Sequence, residues 1–413
     1  MTLYLERASL SAEGWPAFQM GGFNKQGVIL LKHKIGILCS CFVMMSYLAV
    51  SPVIADIAEE FSDVNISTIQ MVITLPSLVC LATSLLAGVL VRRFYKRTII
   101  LISMGCYVAG GLCPLLLNGS IAPLLICSAV LGLGTGGMVT ATAAIICDCY
   151  RDAERSQMMG LQAAMIGAGG MVFTLLGGWL SQFGWRTAYG AFFLLIPCFV
   201  IAVFCLPKGT LDAQEDSRGR VHISSYVWIM SLMGFLFYAL QNTFNTNISL
   251  YMVETGLGTA QTAGLATSLN TFAGLIAGCL MSRIMARLKQ YIVPAAFFLA
   301  VVGLLLTWLG ESVMVILVGG VLIGFGFSTY TPAGSCLVSE RVEGAGRSLS
   351  LALLSAGNNL GAALSPALVN TLSAQFDQTV RTKFFIAAAA LLIVTTAAGV
   401  WLRQSKPPAE EAA

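Results

Sequence analysis

The sequence predicts an all-α membrane protein, with twelve transmembrane helices in two pseudo-symmetric six-helix bundles. Three observations predict it. Of 413 residues, 57% are hydrophobic and only 10% are charged, whereas a water-soluble domain carries roughly 25% charged residues. Uncharged runs long enough to cross a bilayer follow one another along the whole chain, and mean hydropathy is +0.83. Pieces of the first half recur in the second at a nearly constant spacing.

The N-terminal tail, 1–32, starts polar, with Glu6, Arg7 and Glu13, and the first long apolar run begins near Ile35. No cleaved signal peptide is expected. Residues 1–19 read as irregular, and Met20 offers an alternative start. Runs free of Asp, Glu, Lys and Arg then cover 35–55, 64–91, 98–147, 156–185, 187–207, 221–253, 255–282, 290–310, 312–339, 348–376 and 384–402. A spanning helix takes about 20 residues. The run 98–147 therefore holds two, broken at Asn118–Pro123, and the count is twelve. An even count puts both termini on one side. The one sizeable polar connection, "PKGTLDAQEDSRGRVH" at Pro207–His222, separates the bundles 33–206 and 223–402, and 403–413 is a tail.

Lysine and arginine set the orientation. Of the 23 such residues, Arg186, Arg381 and Lys383 fall on the side opposite the termini, and all the others fall with the termini. Cytoplasmic loops carry the excess of positive charge. The expectation is a multi-pass protein of the plasma (cell inner) membrane with both termini cytoplasmic.

The 12 cysteines, Cys39, Cys41, Cys80, Cys147 and Cys149 among them, lie in or beside spans and form no spaced framework. They read as small reduced hydrophobes. Cys147 and Cys149 flank Asp148, but neither histidine, His33 or His222, is near. No metal, no cofactor and no histidine-based catalysis are expected. Net charge +4 gives no argument for nucleic acid.

Gly88 and Arg93 reappear as Gly278 and Arg283. "LGLG" at Leu131–Gly134 reappears as "IGFG" at Ile323–Gly326, and "RSQMMGL" at Arg155 as "RSLSLAL" at Arg347. Parallel six-helix repeats joined by a cytoplasmic linker resemble the major facilitator superfamily. "GVLVRRFYKR" from Gly88 resembles that family's signature turn between spans two and three. Gly88, Arg93, Lys96 and Arg97 match it, whereas Arg92 stands where the family has Asp and Tyr95 where it has Gly. "GWR" at Gly184–Arg186 and the glycine-rich fourth and fifth spans resemble the drug:proton antiporter branch. The chain departs from that branch at Ser128 and Leu131 in span four, and in a fifth span without proline; the second-half counterpart does have Ser365-Pro366.

The resemblance implies that spans one, four, seven and ten face a central pore. Polar mid-span residues are then candidates for substrate contact. In span seven, Tyr238, Gln241, Asn242 and Asn245 share one helical face. Tyr47, Asn270, Tyr330, Asn358 and Asn359 complete the set, with Met44 and Met45 beside Tyr47. For the amides, bonding across helices is the competing role. No lysine or arginine lies mid-span, which suits a neutral or amphipathic compound. All 19 acidic residues lie in tails, loops or helix ends, and Asp56 is the nearest to a buried proton carrier.

The resemblance also implies a gate at the signature turn. Its expected ion pair is Arg93–Asp148, repeated in the second half as Arg283–Glu340. Arg92 is expected to reach Glu340 or Glu343 across the halves. The implied activity is secondary transport of a small organic compound by alternating access, as efflux, by a monomer with possible proton coupling. Uptake or facilitated diffusion of a neutral nutrient is the alternative. A polytopic enzyme or receptor would need clustered His, Asp or Cys at a membrane face, or a large soluble segment, and the sequence has neither.

Overall fold

The computed structural model describes residues 25–91, 93–150, 152–208, 224–342, 346–376 and 379–404. Every regular element among them is helical. In chain order these are α1 (Lys25–Phe42), a 3-10 segment (Ser46–Val53), α2 (Ile54–Glu60), α3 (Ile66–Leu90), α4 (Lys96–Leu112), α5 (Ile121–Cys149) and α6 (Asp152–Leu180). A second long 3-10 segment (Trp185–Leu194) leads into α7 (Leu195–Cys205). The second half holds α8 (Ser225–Gln241), α9 (Thr243–Glu254), α10 (Ala260–Leu288), α11 (Ile292–Leu309), α12 (Val313–Arg341), α13 (Gly346–Ser373) and α14 (Val380–Gln404).

Local chemistry sets where several helices start. The Asn65 side chain accepts from the Ser67 amide at 2.8 Å and opens α3. Thr259 and Thr262 form a reciprocal capping box that opens α10. Eleven segments among the described residues are long and apolar enough to cross a membrane. The first of them, Leu31–Glu60, runs through α1, the 3-10 segment and α2, and the seventh, Ser225–Glu254, joins α8 to α9. The remaining long helix, α13, has 28 residues but is diluted by Asn358, Asn359 and several serines. At 1.5 Å per residue it is about 42 Å long.

Buried apolar side chains gather into two clusters. One runs from Ile37 to Leu206 and takes in Ala260; the other runs from Tyr226 to Leu402. Leu250 on α9 packs against both. Within the first half α5 packs on α3 and α4; within the second, α12 packs on α10 and α11, and α13 packs on α8. Across the halves, α6 packs on α10 and α3 packs on α13.

The α6–α10 contact is closest at a glycine pair. A Cβ on Gly264 would lie 2.9 Å from the Gly178 Cα, and one on Gly178 would lie 3.0 Å from the Gly264 Cα. Small residues let helix backbones approach when no water drives them together. The contact continues past Gly170 to Gly167, which lies near Thr271 and Leu275. Beyond it the helices turn exposed: Met159 and Leu161 on α6, and Ile276 and Leu288 on α10. Replacing Gly264 with Val should therefore separate the halves locally and cost about 1–3 kcal/mol, the usual range for overpacking. Thermal unfolding of the purified variant checks this, with Gly88→Val, where a Cβ meets nothing within 4 Å, as the control that leaves the melting point in place.

Candidate functional site

The first membrane segment is not one helix. It breaks after Phe42, passes through a turn, and continues as a 3-10 segment containing Pro52. The corresponding segment of the second half is interrupted at Asn242, between α8 and α9. Interrupted helices at matching places in two repeats are the best pointer to a transport site, because irregular backbone in a membrane must be satisfied from within the protein. Tyr107 donates to the Met44 carbonyl at 2.6 Å, and its hydroxyl also meets Thr135 at 2.7 Å. Ser365 donates to the Ala239 carbonyl at 2.6 Å.

Around these breaks lie several of the expected substrate-contact residues. Tyr47 is the second residue of the 3-10 segment. The Tyr238 hydroxyl meets Thr331 at 2.9 Å, and its ring sits 5.0 Å from Phe327 and 6.3 Å from Tyr330. Tyr330 is fully buried against Phe237 and Phe297. Its hydroxyl and the Asn358 side-chain oxygen have no hydrogen-bond partner among the described residues. Both fill the space that a side chain at 234 would need: a Cβ on Gly234 would lie 2.2 Å from the Asn358 oxygen and 2.5 Å from the Tyr330 hydroxyl.

The amide stripe differs from expectation. Gln241 is buried while Asn242 and Asn245 are half-buried. Asn242 donates to the Ala362 carbonyl at 3.2 Å and accepts from Asn245 at 3.3 Å. Asn270 donates to the Gly320 carbonyl at 3.0 Å and ties α10 to α12. Asn359 bonds back to Ser355 of its own helix. Asp56 lines an open hollow of about 320 Å³ with Glu59, Glu60, Gly184 and Trp185, on the side away from the termini. There Glu60 also accepts from the Trp185 ring nitrogen and the Arg186 guanidinium.

At that same remote end the two halves are clasped. Ser51 donates to the Asn245 carbonyl at 2.6 Å. Gln70 donates to the Asn247 side-chain oxygen at 2.8 Å and to the Thr246 carbonyl at 3.1 Å. Asn370 on α13 donates to Gln70 at 2.7 Å and to Ser67 at 2.8 Å. Lys383 reaches the same Asn247 oxygen at 3.4 Å and is 5% exposed. Sequence reasoning passed over this set. Asn247 lay off the counted stripe, whose phase assumed an unbroken helix, and Lys383 counted as a loop charge when it is buried in the clasp.

At the terminal end the expected gate is rearranged. Asp148 pairs with Lys96, through both carboxylate oxygens at 2.8 Å, rather than with Arg93, which is exposed. Lys96 opens α4 one turn beyond Arg93 and is 1% exposed, so the buried position belongs to the lysine. Arg97 donates to the Val203 carbonyl and joins α4 to α7. The expected Arg283–Glu340 pair is not formed: both side chains are exposed. Arg341 lies instead over the Tyr226 ring at 4.1 Å. Arg92 and Glu343 lie outside the described residues. The cross-half hydrogen bonds just described sit at the remote end, and at Gly88 an added Cβ would meet nothing within 4 Å.

The model of the Major Facilitator Superfamily matches residues 36–258 and 230–413. The chain belongs to the Major Facilitator Superfamily. That family is one of transporters, which are not enzymes. Among curated proteins, the riboflavin transporter RibZ of Clostridioides difficile (strain 630) is 28% identical over 171 residues, 39% of this chain and 35% of that protein. The MFS antiporter QDR3 of Candida albicans (strain SC5314) is 28% identical over 159 residues, 38% of this chain and 22% of that protein. The chain thus matches about a third or less of these relatives' length. A bacterial homologue of the human lysosomal transporter Spinster, in an inward-facing and occupied conformation, superposes with a TM-score of 0.73 at 14% identity, over 94% of this chain and all of that one. The nucleoside transporter NupG gives 0.72 at 10% identity, over 90% and 99%. A POT family transporter in complex with 5-aminolevulinic acid gives 0.73 at 13%, over 90% and 96%. At these identities the likeness is one of fold.

The buried pair gives a direct test. Asp148→Asn leaves the Lys96 ammonium without this carboxylate and should destabilise the protein by about 3–5 kcal/mol. Lys96→Met with Asp148→Leu should recover most of that loss, and thermal unfolding of the single and double variants reads the difference.

Proposed function

We propose that this chain is a twelve-helix transporter of two six-helix units, 33–206 and 223–402, joined by a cytoplasmic linker, 207–222. It moves a small neutral or amphipathic organic compound by alternating access. The observation that carries this reading is a clasp at the end away from the termini, combined with the pair of helix breaks around Tyr47 and Tyr238. Aromatic rings and neutral amides meet there without a lysine or arginine, a lining that suits an uncharged, flat or amphipathic solute.

Orientation follows from charge. The remote end carries only Arg186, Arg381 and the buried Lys383. With the positive-inside rule that end is external, and the clasped conformation is inward-facing in the plasma membrane. The exposed residues of the terminal-end gate, Arg93, Arg283 and Glu340, are then the groups that meet when the protein opens outward.

Efflux is the favoured direction, supported by the antiporter-like turns and by the match to QDR3. Asp56, at the external hollow, is the carboxylate proposed to exchange protons with the medium. A second reading, passage of a neutral nutrient, is supported by the match to RibZ.

Everted membrane vesicles separate the two. A compound panel that includes riboflavin should show accumulation driven by a proton gradient, and Asp56→Asn should abolish accumulation while leaving equilibration. Equilibration alone in the unaltered protein would instead support facilitated passage. Asn242→Leu should lower transport about tenfold, the loss expected when one polar contact disappears, with the melting point little changed. A fall in stability with transport intact would make that amide a structural one.

A further inference from the structure

We infer that the Ser249 hydroxyl is a wedge in the first membrane segment, and so a positioning residue of the remote-end gate. The inference rests on the alternating-access reading above.

Ser249 lies on α9 in the second half and is 1% exposed. Its hydroxyl donates to the Pro52 carbonyl and accepts from the Ala55 amide at 3.3 Å. Pro52 and Ala55 stand three residues apart. Their carbonyl and amide are the acceptor and donor that a tight helical turn brings together. A hydroxyl from the other half therefore bonds to both groups at the junction of the 3-10 segment and α2. Val53, inside that junction, has φ −102° and ψ 10°, off the helical values. Pro52 has no amide hydrogen and leaves the preceding turn one donor short. One turn earlier on α9, the Asn245 carbonyl accepts from Ser51. The second half thus grips the segment at two successive turns.

Opening the remote end must withdraw Ser249. The Pro52 carbonyl and the Ala55 amide then face each other, and in hydrocarbon they have every reason to bond. The segment rewinds toward a continuous helix. Tyr47 lies on the same 3-10 segment, so rewinding changes the wall of the central site as the gate opens. Gate and site are linked by a change of backbone winding, set by one hydroxyl.

The test uses the full chain in lipid nanodiscs. A ketone-bearing amino acid placed at Asp63 and at Thr255, both exposed at the remote end, carries spin labels without touching the native cysteines. Pulsed spin-label measurements then give the ratio of long to short distances. Ser249→Ala keeps the helix and removes the hydroxyl. It should raise the long-to-short ratio about tenfold, the effect of losing two modest hydrogen bonds. Ser249→Thr keeps the hydroxyl and should hold the ratio near that of the unaltered protein. Thermal unfolding shows that each variant is folded. An unchanged ratio in Ser249→Ala overturns the wedge while the two-state behaviour of the unaltered protein stands. A Thr variant that shifts as far as Ala also overturns it, because volume and not the hydroxyl would then matter. A single distance in the unaltered protein under all conditions overturns the alternating-access reading, and the wedge with it.

Discussion

A backbone carbonyl or amide left unpaired in hydrocarbon costs several kcal/mol, and this protein is organised around that penalty. Its continuous helices satisfy it locally. Its broken ones cannot, so each break recruits a side chain from another element. Tyr107 serves Met44, Ser365 serves Ala239, and Ser249 serves Pro52. The first two donors belong to the same half as the carbonyl they serve and stay with it. The third crosses between halves. The difference divides fixed structure from gate: a break served from within a half persists through any movement, and one served from the other half depends on the halves being together.

The same reasoning explains what the sequence could and could not disclose. Helices are legible because charge and hydropathy follow the membrane, and the runs located nearly every one. Short repeats between the first and second halves of the sequence are legible, because matching turns face matching demands. The breaks were not legible. Nothing in "SCFVMMSYLAVSPV" marks a turn before Pro52, and "LQNTFNT" reads as an unbroken amphipathic face. Asn247 nonetheless sits in the clasp and Gln241 in the core. Periodicity assumes a straight helix, and functional membrane helices are often the crooked ones.

Charge was misjudged for a related reason. Lys383 and Lys96 were counted as loop charges, yet they are 5% and 1% exposed. A lysine near a helix end has a long apolar stem and can reach inward as well as snorkel outward. Which way it goes depends on partners that come from distant sequence: Asp148 for Lys96, Asn247 for Lys383. In the signature turn, the lysine takes the buried place beside Asp148 and the arginine stays in water. The turn retains its basic character, and the ion pair shifts to another residue.

The Gly178–Gly264 approach has a mechanical consequence. The α6–α10 contact is tight at that pair and looser at Gly167, which makes it a fulcrum set toward one end of a lever. From Gly167 to the start of α6 at Asp152 is roughly 22 Å of helix, and a tilt of about 10° would sweep that end through about 4 Å. The arm beyond Gly178 is only a turn long. Movements too small to unpack the remote end are thus magnified at the other, and the molecule can admit a solute on one face while its opposite face barely shifts.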